Sequence, residues 1–172
     1  MQRVLVIGSP GSGKSTFATE LARRTALPLI HLDQQFWNAG WVETPKAAWS
    51  AKLAELVAGD RWIIDGNYGG SLELRLARAD TVIDLQFPPW VCIWRILRRV
   101  ITSRGRVRSD MAAGCPEQFN FEFLLYTATF PFTARRRTLA KVSRFDGEII
   151  RLRSSAEVRN FLQSVPNSET GS

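Results

Sequence analysis

The chain has 172 residues, 45% of them hydrophobic, and its 23 lysines and arginines against 16 aspartates and glutamates give a formal net charge of +7. This length fits one compact domain, which we place at 1–165, followed by a flexible tail at 166–172. The two distant cysteines suggest neither a disulfide framework nor a zinc site, and we recognise no secretion signal or membrane span. We therefore expect a cytoplasmic protein that binds an anion, either the phosphates of a small molecule or nucleic acid.

The first functional signal is the segment 8–15, which reads G-x-x-x-x-G-K-S between a predicted strand at 4–7 and a predicted helix at 16–26. This pattern is typical of a phosphate-binding P-loop. Glycines allow consecutive backbone N–H groups to turn toward an anion, and the positive end of the helix faces the same point. The alternative is a glycine-rich turn that binds nothing. The residues predicted to bind ATP here are Gly8, Gly11, Ser12, Gly13, Lys14, Ser15 and Thr16.

Three side chains of this loop have distinct predicted roles. Lys14 is expected to reach the outer phosphates and to act in catalysis as a mobile positive charge. Ser15 is expected to give its hydroxyl to Mg²⁺, and Thr16 is placed to touch an inner phosphate. The cofactors predicted from the loop are therefore ATP and Mg²⁺.

Two aspartates follow the next two predicted strands, at 29–32 and 62–64. The carboxyl ends of strands in an open parallel sheet are the edge where ligands bind. Asp65 is predicted to hold the metal ion or its water shell, although it could instead cap the following turn. Asp33 is predicted to orient or deprotonate an acceptor hydroxyl, the alternative being a loop carboxylate that pairs with an arginine.

The remaining elements complete an alternating pattern. An aromatic-rich loop at 36–41 precedes a helix at 44–59, and a short helix at 71–78 leads to a fourth strand at 81–87. Pro88 and Pro89 open a helix with an apolar stripe of Trp90, Ile93, Trp94, Leu97 and Ile101, and with Arg95, Arg98 and Arg99 on another face. Five strands alternating with helices predict an α/β fold with a doubly wound five-stranded parallel sheet.

The last third of the chain is rich in arginine. We expect a mobile loop at 103–116 that carries Arg104, Arg106 and Arg108, then helices at 117–130 and 133–144, and a fifth strand at 148–152. Ser154 and Glu157 have the spacing of a capping box for the final helix. A glycine-bounded loop with three arginines suits a lid that closes over phosphates, and Arg106 is predicted to act there in catalysis.

Four segments carry a resemblance to a known family: Val6 to Thr16, Ile30 to Trp37, Trp62 to Tyr68 and Asp110 to Glu117. They resemble the bacterial topology-modulation protein family, which is similar to adenylate and shikimate kinases. The resemblance implies a strand order of 2-3-1-4-5, an acceptor-binding region at 33–60 and a lid region at 103–137.

The same resemblance implies roles for individual residues. Arg95 would lie against adenine, and Arg99, one turn later, would meet phosphate and act in catalysis. Ser154 lies in the loop that borders the base in such kinases. Asp33 matches the position that holds the acceptor hydroxyl.

One departure concerns the segment after Asp65. Adenylate kinases follow Asp-Gly with Phe-Pro-Arg, whereas this chain has Asn67-Tyr68-Gly69, so the arginine that grips a nucleoside monophosphate is missing. Arg75, about two helical turns later, is the candidate substitute. Trp37 and Asn67 join Asp33 and Arg75 as predicted acceptor-binding residues.

These features predict a kinase that transfers a phosphoryl group from ATP to an unidentified small acceptor, which is a nucleoside, a nucleotide or another hydroxyl compound. A second hypothesis is a DNA-associated regulator that uses its nucleotide as a switch, although no nucleic-acid-binding motif supports it. A plain NTP hydrolase is a third hypothesis. No membrane partner is expected.

Overall fold

The computed structural model describes residues 1–166, so most of the predicted tail lies outside the described residues. In chain order the strands and helices are β1 Arg3–Gly8, α1 Lys14–Thr25, β2 Leu29–His31, α2 Leu32–Phe36, β3 Trp37–Asn38, β4 Val42–Glu43, α3 Lys46–Ala58, β5 Trp62–Asp65, α4 Leu72–Leu76, β6 Thr81–Leu85, α5 Pro89–Ser103, α6 Phe121–Thr129, α7 Ala134–Val142, β7 Glu148–Leu152 and α8 Ser155–Ser164. Short 3₁₀ turns at Gly69–Ser71 and Phe130–Phe132 precede α4 and α7.

The main sheet has five parallel strands in the order β2-β5-β1-β6-β7. When the strands of this sheet alone are numbered, the order is 2-3-1-4-5, which confirms the predicted doubly wound α/β fold. The central strand β1 pairs with β5 on one side and with β6 on the other, so that Leu5 lies between Ile64 and Val82. The P-loop therefore leaves the sheet from its central strand.

The two faces of the sheet are buried in two separate clusters. Val4 and Val6 face one cluster, which contains Phe17 and Leu21 of α1, whereas the intervening Leu5 faces the other. The second cluster is closed by α3, α4 and α7. Because both faces are covered, the strands are nearly continuous runs of apolar residues, as the sequence pattern indicated.

Several boundaries differ from those predicted. The aromatic loop contains a two-stranded antiparallel hairpin of β3 and β4. Asp33 lies in the first turn of the short helix α2, and not at a strand end, because β2 stops at His31. Helix α6 begins after Asn120, whose side chain accepts a hydrogen bond from the backbone N–H of Phe123, and not at Glu117.

Helix α5 places its apolar stripe outward. Its buried residues are Cys92 and Ile96, whereas Trp94 and Ile101 are exposed. An apolar stripe on a surface helix normally faces the core. Within residues 1–166, no helix is long and apolar enough to cross a membrane.

Candidate active site

A cleft of about 1870 Å³ opens at the carboxyl ends of the strands. The P-loop forms its floor, α2 and the β3–β4 hairpin form one wall, and the segment between α5 and α6 forms another. Most of the predicted site residues line this cleft, namely Gly11, Ser12, Gly13, Lys14, Ser15, Thr16, Asp33, Trp37, Asp65, Asn67, Arg95 and Arg99. Gly8 begins the loop beside it, whereas Arg75, Arg106 and Ser154 do not line it.

The P-loop glycines are required by close packing of the main chain. Gly8 and Gly11 have φ angles of 145° and 74°, and a Cβ on either would come within 2.5 Å of a carbonyl oxygen, of Leu85 or Cys92 respectively. Gly13 precedes α1 with φ 92°, and no side chain of the described residues caps this helix start. The first amides of α1 are thus available to an anion.

Lys14 lies near both aspartates. Its Nζ donates a 3.0 Å hydrogen bond to the carbonyl of Ser9. Burial lowers the pKa of Lys14, whereas the nearby carboxylates of Asp65 and Asp33 raise it. The fold therefore brings Lys14 of the P-loop close to two carboxylates, Asp33 in α2 and Asp65 at the end of β5, so that their charges interact.

Asp65 is buried, with 5% of its surface exposed. Its Oδ2 lies 3.0 Å from Nδ1 of His31, which orients the carboxylate, a contact that the sequence did not indicate. Its Oδ1 is buried and has no hydrogen-bond partner within residues 1–166. Buried polar atoms are nearly always satisfied, so this free carboxylate oxygen fits a metal ion or a metal-bound water.

The residues present therefore suit Mg²⁺. Ser15, the other predicted metal ligand, lines the same cleft. In the described part of the chain, no group of three or more histidine, cysteine, aspartate or glutamate side chains could hold a metal by itself. Magnesium commonly completes its octahedral shell with water and substrate phosphates and uses only one or two protein ligands.

Asp33 accepts a 2.6 Å hydrogen bond from the hydroxyl of Tyr68. Burial raises the pKa of Asp33, and the negative charge of Asp65 adds to this, whereas the hydrogen bond from Tyr68 opposes it. A carboxylate with a raised pKa is suited to taking a proton from a hydroxyl near neutral pH.

Aromatic side chains form the wall beside Asp33. The ring of Phe36 packs at a tilt against Tyr68 and edge-on against Trp37, with ring centroids 4.9 Å and 5.1 Å apart respectively. Trp37 in turn lies 5.5 Å from Trp41. All four line the cleft, so Trp37 lies where an acceptor is predicted to bind.

Arg75 does not fit its predicted role. It is fully buried beneath the loop at 66–68, and its guanidinium donates to the carbonyls of Gly66, Asn67 and Tyr68. An acceptor in the cleft cannot reach it. Instead it holds Tyr68 in a left-handed backbone conformation, φ 30°, with its hydroxyl on Asp33.

Asn67 is also engaged with the main chain. Its side-chain amide accepts a hydrogen bond from the N–H of Gly8 and donates one to the carbonyl of Gly8. Asn67 therefore connects the end of β5 to the start of the P-loop through these two hydrogen bonds. It lines the cleft, but both of its polar atoms already have partners.

Arg95 connects the P-loop with the last helix. Its guanidinium donates to the carbonyl of Ser12 and to the hydroxyl of Ser155, and it lies 4.3 Å from the ring centre of Phe87. Ser154 is the N-cap of α8 and accepts a hydrogen bond from the N–H of Glu157, which is one half of the predicted capping box, whereas the carboxylate of Glu157 accepts from the N–H of Arg153. Ser155, and not Ser154, faces the cleft.

Two arginines of the lid region line the cleft, Arg108 and Arg137. Arg106 is exposed and lies outside the cleft, so the structure does not place it at the reaction centre. Arg108 binds Asp110 through two hydrogen bonds of 2.8 and 2.9 Å, and it binds Glu117 at 3.0 Å. Glu117 also pairs with Arg99 at 3.1 Å.

These ion pairs hold the guanidinium groups of Arg99 and Arg108 over the P-loop. Burial lowers the pKa of Arg99. Burial opposes the ionised form of Asp110, but the hydrogen bonds and the positive charge of Arg108, together with a hydrogen bond from Ser15, outweigh burial and lower the pKa of Asp110. The acidic partners begin and end the segment Asp110 to Glu117 that carries the family resemblance, but their pairing depends on the fold of the loop.

The segment 108–117 is packed against the β3–β4 hairpin. Met111, Ala112 and Cys115 are buried against Trp37 and Trp41. The N–H of Gly40 donates to the carbonyl of Gly114, the thiol of Cys115 donates to the carbonyl of Asn38, and the amide of Gln34 donates to the carbonyl of Ser109. The loop that was predicted to be mobile is therefore attached to the acceptor wall.

Comparison with known proteins agrees with this architecture. A shikimate kinase from Acinetobacter baumannii in complex with shikimate superposes with a TM-score of 0.59 at 13% identity, over 96% of this chain and 90% of that one. A shikimate kinase from Bacteroides thetaiotaomicron superposes with a TM-score of 0.56 at 16% identity, over 94% of each chain. The fold is that of a P-loop kinase. No protein-family model matches the sequence, and no curated protein is significantly similar to it.

Proposed function

We propose that this protein transfers the γ-phosphoryl group of ATP to a hydroxyl group of a small-molecule acceptor. The observation that carries the proposal is that Lys14 and Asp33 open into one cleft and interact electrostatically there. The P-loop holds the donor phosphates at one end of the cleft, and the carboxylate and its aromatic wall receive the acceptor at the other.

The reaction then follows from these positions. The acceptor hydroxyl donates a hydrogen bond to Asp33, and its proton passes to this carboxylate as the oxygen bonds to the γ-phosphorus. The bond from phosphorus to the β–γ bridging oxygen breaks, and ADP leaves. Lys14 and Arg99 neutralise the charge that spreads over the phosphoryl oxygens.

Ser15 and Asp65 would hold Mg²⁺ beside the phosphates. When bound, the ion would neutralise phosphate charge, which is its general role in phosphoryl transfer. His31 fixes the orientation of Asp65, and Arg95 braces the P-loop and presents a planar cation to the base of the nucleotide.

The acceptor end favours a compact ring that carries a hydroxyl group, such as a nucleoside, a sugar or a cyclic hydroxy acid. Trp37 and Phe36 offer flat apolar surfaces for such a ring, and Asp33 offers an acceptor for its hydroxyl hydrogen. Arg75 is committed to backbone carbonyls, so it cannot grip the phosphate of a nucleoside monophosphate.

The test follows ADP formation with ATP and Mg²⁺ across a panel of nucleosides, nucleotides, sugars and hydroxy acids. We expect one class to accelerate ADP formation well above the rate without acceptor. Lys14→Ala should abolish turnover and weaken ATP binding, whereas Asp33→Asn should abolish turnover but retain ATP binding. Phosphate release that no acceptor accelerates would identify a plain hydrolase, and unchanged turnover in Lys14→Ala would overturn the proposal.

The resemblance to topology-modulation proteins stays a prediction, as do the cytoplasmic location and the use of ATP as the phosphoryl donor. The structural comparisons do not favour the DNA-associated alternative. That alternative requires DNA affinity that falls steeply with salt, which a filter-binding titration would measure.

A further inference from the structure

Helix α5 carries four large apolar side chains on the side that faces away from the core. They are Trp90, Trp94, Leu97 and Ile101, with exposed fractions of 72%, 58%, 38% and 80%. The helix packs inward through Cys92 and Ile96, which are buried. The exposed stripe therefore contributes nothing to the core of a single chain.

The four exposed residues follow one another at intervals of four, three and four positions, and the fifth residue of the stripe, Ile93, is half-buried. This spacing is the 3.5-residue repeat of a seam between two helices, and it forms a narrow line along one side of α5. A helix that lies on a membrane has a wider apolar face. Arg98 flanks the line and lies 5.5 Å from the ring centre of Trp94. The pattern thus favours another helix over a lipid surface.

We propose that a second copy of this chain packs on this seam, with the two α5 helices antiparallel about a twofold axis. The spacing of four, three and four reads the same in both directions, which is what a twofold contact requires. In that register Trp90 of each copy faces Ile101 of the other, and Trp94 faces Leu97. Each large ring meets an aliphatic side chain, and the seam is complementary to itself.

The exposed apolar area is sufficient for such a contact. The four seam residues expose on the order of 500 Å² per chain, given the size of large apolar side chains. Helix α6 packs beside α5 and exposes Phe121 and Leu125, at 69% and 55%. Together these approach the roughly 800 Å² per partner that a stable interface buries. The seam alone is as large as the largest apolar patch of a typical monomer, which is roughly 300–600 Å² and often functional.

The interface would lie behind the nucleotide site. Helix α5 bears Arg95 and Arg99 on its cleft side and the seam on the other. The two functions therefore use opposite sides of one helix, and the cleft stays open in the dimer.

Sedimentation of the full chain over a range of concentrations tests the proposal. We expect a reversible dimer, and we expect Ile101→Glu to raise its dissociation constant at least about a hundredfold, because the carboxylate would be buried against an indole. Leu74→Glu is the matched control, since Leu74 is 43% exposed on α4 and lies off the seam. It should dimerise like the unmodified chain.

Two further measurements test the register of the two α5 helices and the folding of the Ile101→Glu variant. The double variant Trp90→Cys/Ile101→Cys should form a disulfide-linked dimer on mild oxidation, whereas Leu74→Cys should not. At low protein concentration, the melting temperature of Ile101→Glu should match that of the unmodified chain in its monomeric form. A chain that remains monomeric throughout would overturn the proposal, as would a dimer unaffected by Ile101→Glu. If the chain is monomeric and floats with anionic vesicles, and Ile101→Glu abolishes this flotation, the seam would instead be a membrane-binding surface.

Discussion

The hydroxyl of Tyr68 donates a 2.6 Å hydrogen bond to Oδ1 of Asp33, and the two residues are 35 positions apart in the sequence. This bond stabilises the ionised carboxylate, whereas burial and the charge of Asp65 favour the protonated form. The balance between them sets the pH range in which Asp33 can accept a proton.

Tyr68→Phe should therefore move the acid limb of the kcat/KM profile to higher pH. Removal of the hydrogen bond leaves burial opposed only by the charges of Lys14 and Arg108, so the pKa of Asp33 rises further. As the pH is lowered, Asp33 is then protonated, and lost as a base, at a higher pH. We expect activity at neutral pH to fall about tenfold, since a hydrogen bond to a charged group is worth roughly 1.5–3 kcal/mol. Steady-state kinetics between pH 5 and pH 9, roughly the range in which enzymes remain folded, measures both effects.

Tyr126→Phe is the control for that variant. It removes the same hydroxyl group from the only other tyrosine, which lines the same cleft but packs on Phe123 and Phe130. Its profile should match that of the unmodified protein. An unchanged acid limb in Tyr68→Phe would show that Asp33 is not the group that titrates.

Arg75→Met should destabilise the fold by about 2–4 kcal/mol, because three buried carbonyls lose their donor. Burial lowers the pKa of Arg75 to about 10, so the side chain remains charged at neutral pH. Urea denaturation followed by circular dichroism measures the loss. Arg78→Met is the matched control, because Arg78 donates to the carbonyls of Val57 and Ala58 from a more exposed position. A similar loss in both variants would contradict the special role of Arg75.

Gly114→Ala should detach the segment 108–117 from the hairpin. Gly114 has φ 79°, and a Cβ there would lie 2.8 Å from Cβ of Ala39. We expect a cost of about 2–3 kcal/mol from the strained backbone and the clash together. Faster proteolytic cleavage of this segment and a raised KM for the acceptor would report it.

Gly105→Ala separates these two causes. Gly105 has φ 74°, but no described atom outside its chain neighbours lies within 4 Å of the added Cβ. It should cost only about 1 kcal/mol, from the backbone conformation alone. Equal effects of the two variants would show that contact with Ala39 is unimportant.

Arg135→Met should destabilise the protein by about 3–5 kcal/mol, because it leaves a buried carboxylate without its charged partner and with only the hydrogen bond from Gln86. Asp84 is 1% exposed and pairs with Arg135 at 2.9 Å, which fastens α7 to the end of β6. Thermal melting at fixed protein concentration measures the loss. Arg136→Met, at the neighbouring exposed position, should leave the melting temperature nearly unchanged. Equal melting of both variants would refute the role of this ion pair.

The nucleotide end of the cleft was predictable because its chemistry is local. The P-loop needs glycines, a lysine and a hydroxyl at fixed spacing between a strand and a helix, and all of these are read from consecutive residues. The sheet was predictable for a similar reason, since short apolar runs alternated with helical patterns. The acceptor end was harder, because Asp33, Tyr68 and Arg108 meet only through the fold.

The sequence alone determined the P-loop, the five apolar segments that form the strands and the two candidate aspartates near strand ends, because each is read from contiguous residues. Only the tertiary structure decided which arginines face the cleft. Arg75 and Arg108 are equally charged in the sequence, yet one is sealed under a loop and the other lies over the P-loop. It also decided that the apolar side of α5 faces outward, since a helical pattern reveals which residues share a side but not what covers it.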